Sequence, residues 1–270
     1  MCRLFGFRAT APTRVEDCLV HAPNSLLVQS RRDLRGFEHA DGWGIVAYAE
    51  DGPRVERQPF PAHDGKRFRA AAGRIEAATV VAHVRRATVG VVALENTHPF
   101  GHGRWSFAHN GTVPYFDTIR EELLAALGPD RRAAIHGSTD SEHLFHLILA
   151  RHERTPAEPL LESLRWALCQ VVAWCRAVGQ EPHLGLNVLL TDGAQMVGSR
   201  WQRTLHYLDG PAALDGGLCA SHLARPGGER YRALMIASEP LNDAPWPEVP
   251  ERSIFEVTPE LGLRIAPLEG

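Results

Sequence analysis

Trp105-Ser106-Phe107-Ala108-His109-Asn110-Gly111 is where the chain changes its pattern. Short extended runs precede it, helical runs follow it, and extended runs return in the last third. The stretch itself alternates like a half-buried strand. It ends at Asn110-Gly111, a dipeptide that favours a hairpin turn. Upstream, residues 3–7, 44–48 and 79–84 are short, apolar and flanked by glycine or polar residues, which predicts strands. Downstream, Ile119, Leu123, Leu124 and Leu127 keep helical spacing from Asp117 until Gly128-Pro129 stops them. Thr139 with Glu142 three residues on is a capping box, and Leu144, Leu147 and Ile148 line one face of the helix it opens. A third helix is expected from about Pro159 to Val178, ended by Gly179. Strands are then expected at 186–191, 195–200, 204–207, 233–237, 253–257 and 263–265, with Asp192-Gly193 as a hairpin. Strands, then helices, then strands predict an α+β architecture with antiparallel sheets rather than a βαβ alternation.

Composition narrows the functional classes. Hydrophobic residues are 44 % of the 270 and charged residues 23 %, enough for a sizeable core and too apolar for wholesale disorder. A net charge of −3 removes the general electrostatic case for nucleic acid. No apolar run approaches the roughly 18 residues of a membrane span. The first residues carry no signal-peptide core, so a cytoplasmic protein is expected. Residues 240–250 are proline-rich, but too little chain follows them for a second domain, so one domain over residues 1–270 is expected. The five cysteines, Cys2, Cys18, Cys169, Cys175 and Cys219, are odd in number and form no CxxC, which argues against a disulfide framework. No phosphate-binding loop, dinucleotide fingerprint, GxSxG elbow or metal-ligand spacing is present, so neither a cofactor nor a metal is expected. His143 and His146, three apart on a predicted helix, read as a solvated pair.

Four short stretches can carry chemistry. Cys2 follows the initiator Met1, and cysteine is small enough for methionine removal. A terminal cysteine then holds a thiol, pKa about 8.5, beside an α-amine, pKa about 7.7 to 8.0. Nucleophile and general base would share one residue. Arg85, at the end of the 79–84 strand, can present a fork to a carboxylate. Asn110 and the Gly111 backbone N–H can form an oxyanion hole, although a turn explains the same dipeptide. Asp140, in the first turn of the Thr139 helix, is left free by the cap to meet an ammonium group. Each feature alone has a plain alternative: a chance cysteine, a surface arginine, a turn, a helix start. Asp41-Gly42-Trp43-Gly44 suggests close backbone approach, and His98, in Asn96-Thr97-His98-Pro99-Phe100, reads as structural.

Taken in order, Met1-Cys2, Asp41-Gly42-Trp43-Gly44, His83-x-Arg85-x-Ala87-Thr88, Asn96-Thr97-His98-Pro99, His109-Asn110-Gly111 and Thr139-Asp140-Ser141-Glu142 resemble the class II glutamine amidotransferases. These are N-terminal-nucleophile hydrolases. Leu26–Ser30 and Ser238-Glu239-Pro240 are similar to the γ-glutamyl hydrolase of ergothioneine biosynthesis, a stand-alone member. The resemblance implies a four-layer α/β/β/α sandwich of two antiparallel sheets. It implies that Cys2 attacks a γ-amide carbonyl with its own α-amine as base, and that Asn110 and Gly111 stabilise the oxyanion. Arg85 would bind the substrate α-carboxylate, Asp140 the α-ammonium, and Thr88 would line the same pocket. Synthase-type members often carry Trp after the motif arginine and His after the motif threonine; here they are Arg86 and Val89.

The expected activity is hydrolysis of a γ-glutamyl amide through a Cys2 thioester, on a small-molecule γ-glutamyl substrate or glutamine. Two alternatives share the fold: a glutaminase supplying ammonia to a separate synthase partner, and a non-catalytic binder of a γ-glutamyl metabolite. A bile-salt-hydrolase-like amidase also begins with Met-Cys, but His109-Asn110-Gly111 and Thr139-Asp140-Ser141-Glu142 favour the glutamine type.

Overall fold

Leu4 and Phe5 are both buried although neighbours on a strand point to opposite faces. A strand apolar on both faces needs a layer on each side. The computed structural model, which describes residues 2–179, 183–209 and 231–269, supplies those layers. In chain order the strands are β1 (Arg3–Arg14), β2 (Trp43–Ala49), β3 (Gly52–Gln58), β4 (Glu76–Val84), β5 (Phe100–His102), β6 (Trp105–Thr112), β7 (Gly185–Thr191), β8 (Met196–Arg200), β9 (His206–Asp209), β10 (Ala233–Ala237), β11 (Ser253–Val257) and β12 (Leu263–Pro267). One six-stranded sheet has the order β3-β2-β4-β1-β10-β9, the other β12-β11-β8-β7-β6-β5. Every described pairing is antiparallel.

Alternation along the strands sorts the side chains into three apolar layers. Phe5 and Phe7 of β1, Val80 and Ala82 of β4 and Ile45 of β2 pack against α1 (Leu26–Arg31) and α2 (Lys66–Gly73). Leu4, Val81 and Val46 point the other way and meet Ala108, Leu189 and Phe255 of the second sheet. The far face of that sheet, with Phe107, Val188 and Leu190, packs against α3 (Phe116–Ala126), α5 (Asp140–Arg154) and α6 (Leu160–Val178); the short α4 (Pro129–Ala133) precedes α5. The result is an α/β/β/α sandwich, as the sequence led us to expect. Gly6 marks how closely the sheets approach: a Cβ there would lie 2.7 Å from a Leu189 methyl.

Three local expectations need correction. Asn110-Gly111 is not a turn: β6 runs through it, with Asn110 opposite Asn187 and Gly111 opposite Leu186 in β7. Glycine is required there by crowding rather than by positive φ, because a Cβ on Gly111 would sit 1.8 Å from the Gly185 carbonyl oxygen. The strand expected at 204–207 is shifted to His206–Asp209, since the carbonyls of Arg203 and Thr204 are held in the preceding link by the Asn187 amide at 3.0 and 3.1 Å. His143 and His146 are buried rather than solvated. Met1 and Cys219 lie outside the described residues.

Gly111→Ala should therefore lower stability by about 3 kcal/mol, the upper range for overpacking, because the clash is with backbone. The urea midpoint measures it; a midpoint equal to that of the wild type would mean that β6 and β7 part without cost.

Candidate active site

The two sheets bring one set of strand ends together. In the first sheet these are the end of β4 at Arg85, the start of β1 at Cys2 and the end of β10 at Ser238; in the second they are the end of β6 and the start of β7. Cys2 precedes a central strand, so its position is set from both flanks: Arg3 pairs with Val84, and Ser238 donates its N–H to Leu4 O at 3.0 Å. The thiol lies between the N–H and the carbonyl of Arg86, each 3.4 Å from Sγ. Burial pushes the Cys2 thiol above its ordinary pKa, and the Arg86 N–H and nearby positive charges only partly oppose this. Burial thus favours the protonated form of the sulfur.

Arg85 is 2 % exposed, not the surface arginine that a loop position suggests. Its guanidinium donates to Val91 O at 3.2 Å, Val89 O at 2.9 Å and Gly90 O at 3.4 Å, which curls the following loop around it. Asp41 and Gly42 hold the other side. The Arg85 N–H donates to Gly42 O at 2.7 Å, the Asp41 N–H to Arg85 O at 3.0 Å, and the Asp41 carboxylate receives the Ala87 N–H at 2.7 Å. Gly42 has φ +132°, where a side chain would be strained. That accounts for the Asp41-Gly42 motif, whose role was not readable from sequence.

Asp140 is 3 % exposed. One oxygen receives the Val113 N–H at 2.7 Å and the other the Ser141 N–H at 2.8 Å. The Thr139 hydroxyl accepts the Glu142 N–H at 3.2 Å, so the predicted cap forms. The reciprocal half does not: the Glu142 carboxylate receives the N–H groups of His136 and Gly137 and braces the preceding loop instead. Among the described residues no carboxylate forms an ion pair with Arg85 and no cation with Asp140, although the charges of Asp41 and then Asp140 act on the guanidinium.

The Asn110 amide donates to Ser238 Oγ at 3.2 Å, and its Oδ1 is buried with no partner among the described residues. Leu186, facing Gly111, donates its N–H to Trp201 O and receives the Ser199 hydroxyl, both on the β8 side. In an antiparallel ladder this makes the facing pair non-hydrogen-bonded, so the Gly111 N–H points away from β7. Thr88 is exposed, with its hydroxyl 2.9 Å from that of Thr112. The structure therefore gathers Cys2, Arg85, Asn110, Gly111, Thr88 and Asp140 at one end of the sandwich.

Sequence reading missed the support behind Cys2. Arg3 donates to Cys2 O at 2.8 Å, to Glu239 Oε1 at 2.8 and 3.0 Å, and to Asp33 Oδ2 at 2.5 Å. Asp33 also receives the N–H groups of Arg35 and Phe37 and meets His39 Nε2 at 3.0 Å. Burial raises the Asp33 carboxyl, but the Phe37 N–H, Arg3 and His39 together hold it below its ordinary range. Ser238 and Glu239 had registered only as a likeness. The one available signal was an arginine next to Cys2. Behind the site, His83 stacks on His98 with centroids 4.3 Å apart and bonds to the His109 carbonyl at 3.1 Å, in keeping with a structural His98.

Residues 1–257 match the model of the class II glutamine amidotransferases. A probable glutamine amidotransferase of Saccharomyces cerevisiae is 30 % identical over 95 % of this chain and 82 % of its own length. The γ-glutamyl-hercynylcysteine sulfoxide hydrolase of Mycobacterium tuberculosis is 29 % identical over 96 % of this chain and 93 % of its own. Among solved structures, a glutamine aminotransferase class-II domain protein of Silicibacter pomeroyi superposes with a TM-score of 0.67 over the full length of both chains at 23 % identity. The chain belongs to the class II glutamine amidotransferases, and its two-sheet sandwich is their N-terminal-nucleophile fold. Among the described residues no helix is long and apolar enough to cross a membrane.

Buried histidines give the fold a pH signature. Burial, and then the charge of Arg3, draws His39 down to about 4 from 6.5. Burial likewise draws His83 to about 3 and His146 to about 4. Between 6.5 and these values each is neutral when folded and protonated when unfolded, so the unfolded state binds more protons. Their contribution is complete above 6.5 and is lost as pH falls through that window, by roughly 1.4 kcal/mol per pH unit for each histidine. Urea midpoints should fall steadily from pH 7 to pH 4.5; a flat profile would contradict neutral burial.

Proposed function

We propose that the protein hydrolyses γ-glutamyl amides through a thioester on Cys2. The observation that carries this reading is a buried guanidinium and a buried carboxylate, Arg85 and Asp140, each bonded to backbone or neighbouring groups and neither in an ion pair among the described residues. Uncompensated buried charge is costly. A free α-amino acid head carries one group of each sign and offsets both, with the α-carboxylate on Arg85 and the α-ammonium on Asp140. We assign Thr88, whose hydroxyl is 2.9 Å from that of Thr112, to the rim of the same site.

The chemistry follows from a chain beginning at Cys2 after removal of Met1. The free α-amine takes the thiol proton as Sγ bonds to the γ-carbonyl carbon. The oxyanion is met by the second Asn110 amide N–H and the Gly111 N–H. The C–N bond breaks as the ammonium returns its proton to the leaving amine. Water then attacks the thioester with the amine again as base, releasing glutamate and the thiol. The hydrolase name of the mycobacterial relative supports water as the acceptor. We take residues 1–270 as one domain, a reading supported by the family match over 1–257 and by strands from both ends of the chain sharing one sheet. A reactive free thiol suits a reducing compartment, and we place the activity in the cytoplasm.

Mass spectrometry of the purified protein should find Cys2 as the first residue. Cys2→Ala should abolish glutamate release from γ-glutamyl amides while the protein stays folded; retained hydrolysis would remove Cys2 from the mechanism. Asn110→Ala should lower kcat about 10² to 10³-fold, the usual loss for one oxyanion donor. A loss below about threefold would leave Asn110 with only a strand position.

A further inference from the structure

Arg203 is a half-buried arginine for which the proposed reaction has no use. It lies in the link between β8 and β9, which crosses from one sheet to the other at the active-site end. Its place is built rather than incidental. Asn187, directly opposite Asn110 in the ladder, grips Arg203 O at 3.0 Å and Thr204 O at 3.1 Å with its amide. The Asn187 Oδ1 receives the Trp201 N–H at 2.8 Å. Gly185 leaves the space that the side chain enters: a Cβ at 185 would lie 3.2 Å from Arg203 Nε, 2.9 Å from Gly111 Cα and 3.1 Å from the Thr112 nitrogen. The Nε is buried without a partner, and no carboxylate pairs with the guanidinium among the described residues.

The strand order says which part of a substrate would meet it. Across the first sheet the ends run β4, β1, β10, β9, which is Arg85, Cys2, Ser238 and then the link carrying Arg203. With the glutamate head on Arg85 and the amide carbonyl at Cys2, the leaving amine extends towards β10 and the link. The carboxylates described near that end are already engaged: Glu239 by Arg3 and the Leu34 N–H, Glu248 by Arg200, and Glu251 by the Gln202 N–H and Arg200. Burial, and then the charges of Arg35 and Arg3, draws the Arg203 guanidinium below its ordinary range.

We propose that Arg203 is a specificity-determining residue that receives a carboxylate on the amine side of the scissile bond, making γ-glutamyl amino acids or peptides, rather than glutamine or simple γ-glutamyl amides, the preferred substrates. This rests on the γ-glutamyl reading of the Cys2 site. A charge-assisted bond to Arg supplies both strength and orientation.

The test compares γ-glutamylglycine, which bears the carboxylate, with γ-glutamylmethylamide, which lacks it. In the wild type, kcat/KM should favour the glycine compound at least tenfold, and Arg203→Met should reduce that ratio at least tenfold, mainly through KM. A ratio that is unchanged in Arg203→Met, or a wild type with no preference, overturns the proposal. Calorimetry on the Cys2→Ala protein reads the same ratio as dissociation constants. If the wild type turns over neither compound, the hydrolytic reading falls, while the binding ratio with and without Arg203→Met still decides the subsite.

Discussion

The site depends on one buried cation. Arg3 is the first residue of β1, and its guanidinium ties the Cys2 carbonyl to Asp33 and Glu239, groups far apart in sequence. Here the residue after Cys2 is locked between two neighbouring strands and a buried ion-pair network. Such a network is weak evidence for stability, because desolvation offsets much of its attraction. Its value lies in geometry: the carbonyl of Cys2 cannot rotate without breaking a charge-assisted bond, so the backbone of Cys2 keeps one orientation. His39, neutral and buried, completes the cage around Asp33 without adding a charge.

The contrast with Arg85 and Asp140 is instructive. Arg3 is neutralised by carboxylates within 3 Å. Arg85 and Asp140 are equally buried but are satisfied by backbone groups, which fix their direction and leave their charge in place. One set of buried charges is closed and serves the scaffold. The other is open and suits a ligand with two charges of its own. Burial alone does not separate the two; partner type does.

The α+β class was legible because it depends on periodicity, and the layered sandwich was implied by the family resemblance. Helical spacing and runs of β-branched residues keep their pattern whatever their neighbours do. Pairwise close approach was not legible. Asn110-Gly111 reads as a turn because local preference favours one, yet the glycine answers to the Gly185 carbonyl on another strand. Asp41-Gly42 could be flagged as unusual, but its task, holding Arg85 and Ala87, depends on a strand some forty residues on. The candidate residues themselves were found through an ordered set of short motifs. The residues that support them, Arg3, Asp33, Glu239 and Asn187, carry no local pattern, since their partners meet only in the folded state.

The electrostatics of the thiol bear on which base the proposed mechanism can use. Burial raises the Cys2 pKa, so attack begins with removal of a proton and not with a resting thiolate. The buried histidines His39 and His83 are poor candidates, because burial has made them weak bases committed to Asp33 and to the His109 carbonyl. Among the hydrogen bonds of the described residues, those to Sγ come from the backbone of Arg86 and from no titratable side chain. An α-amine on Cys2 itself meets the need through covalent geometry: it is always within reach, titrates near neutrality, and adds no further buried side chain. Removal of Met1 is therefore a step that the proposed reaction needs, since it supplies that amine.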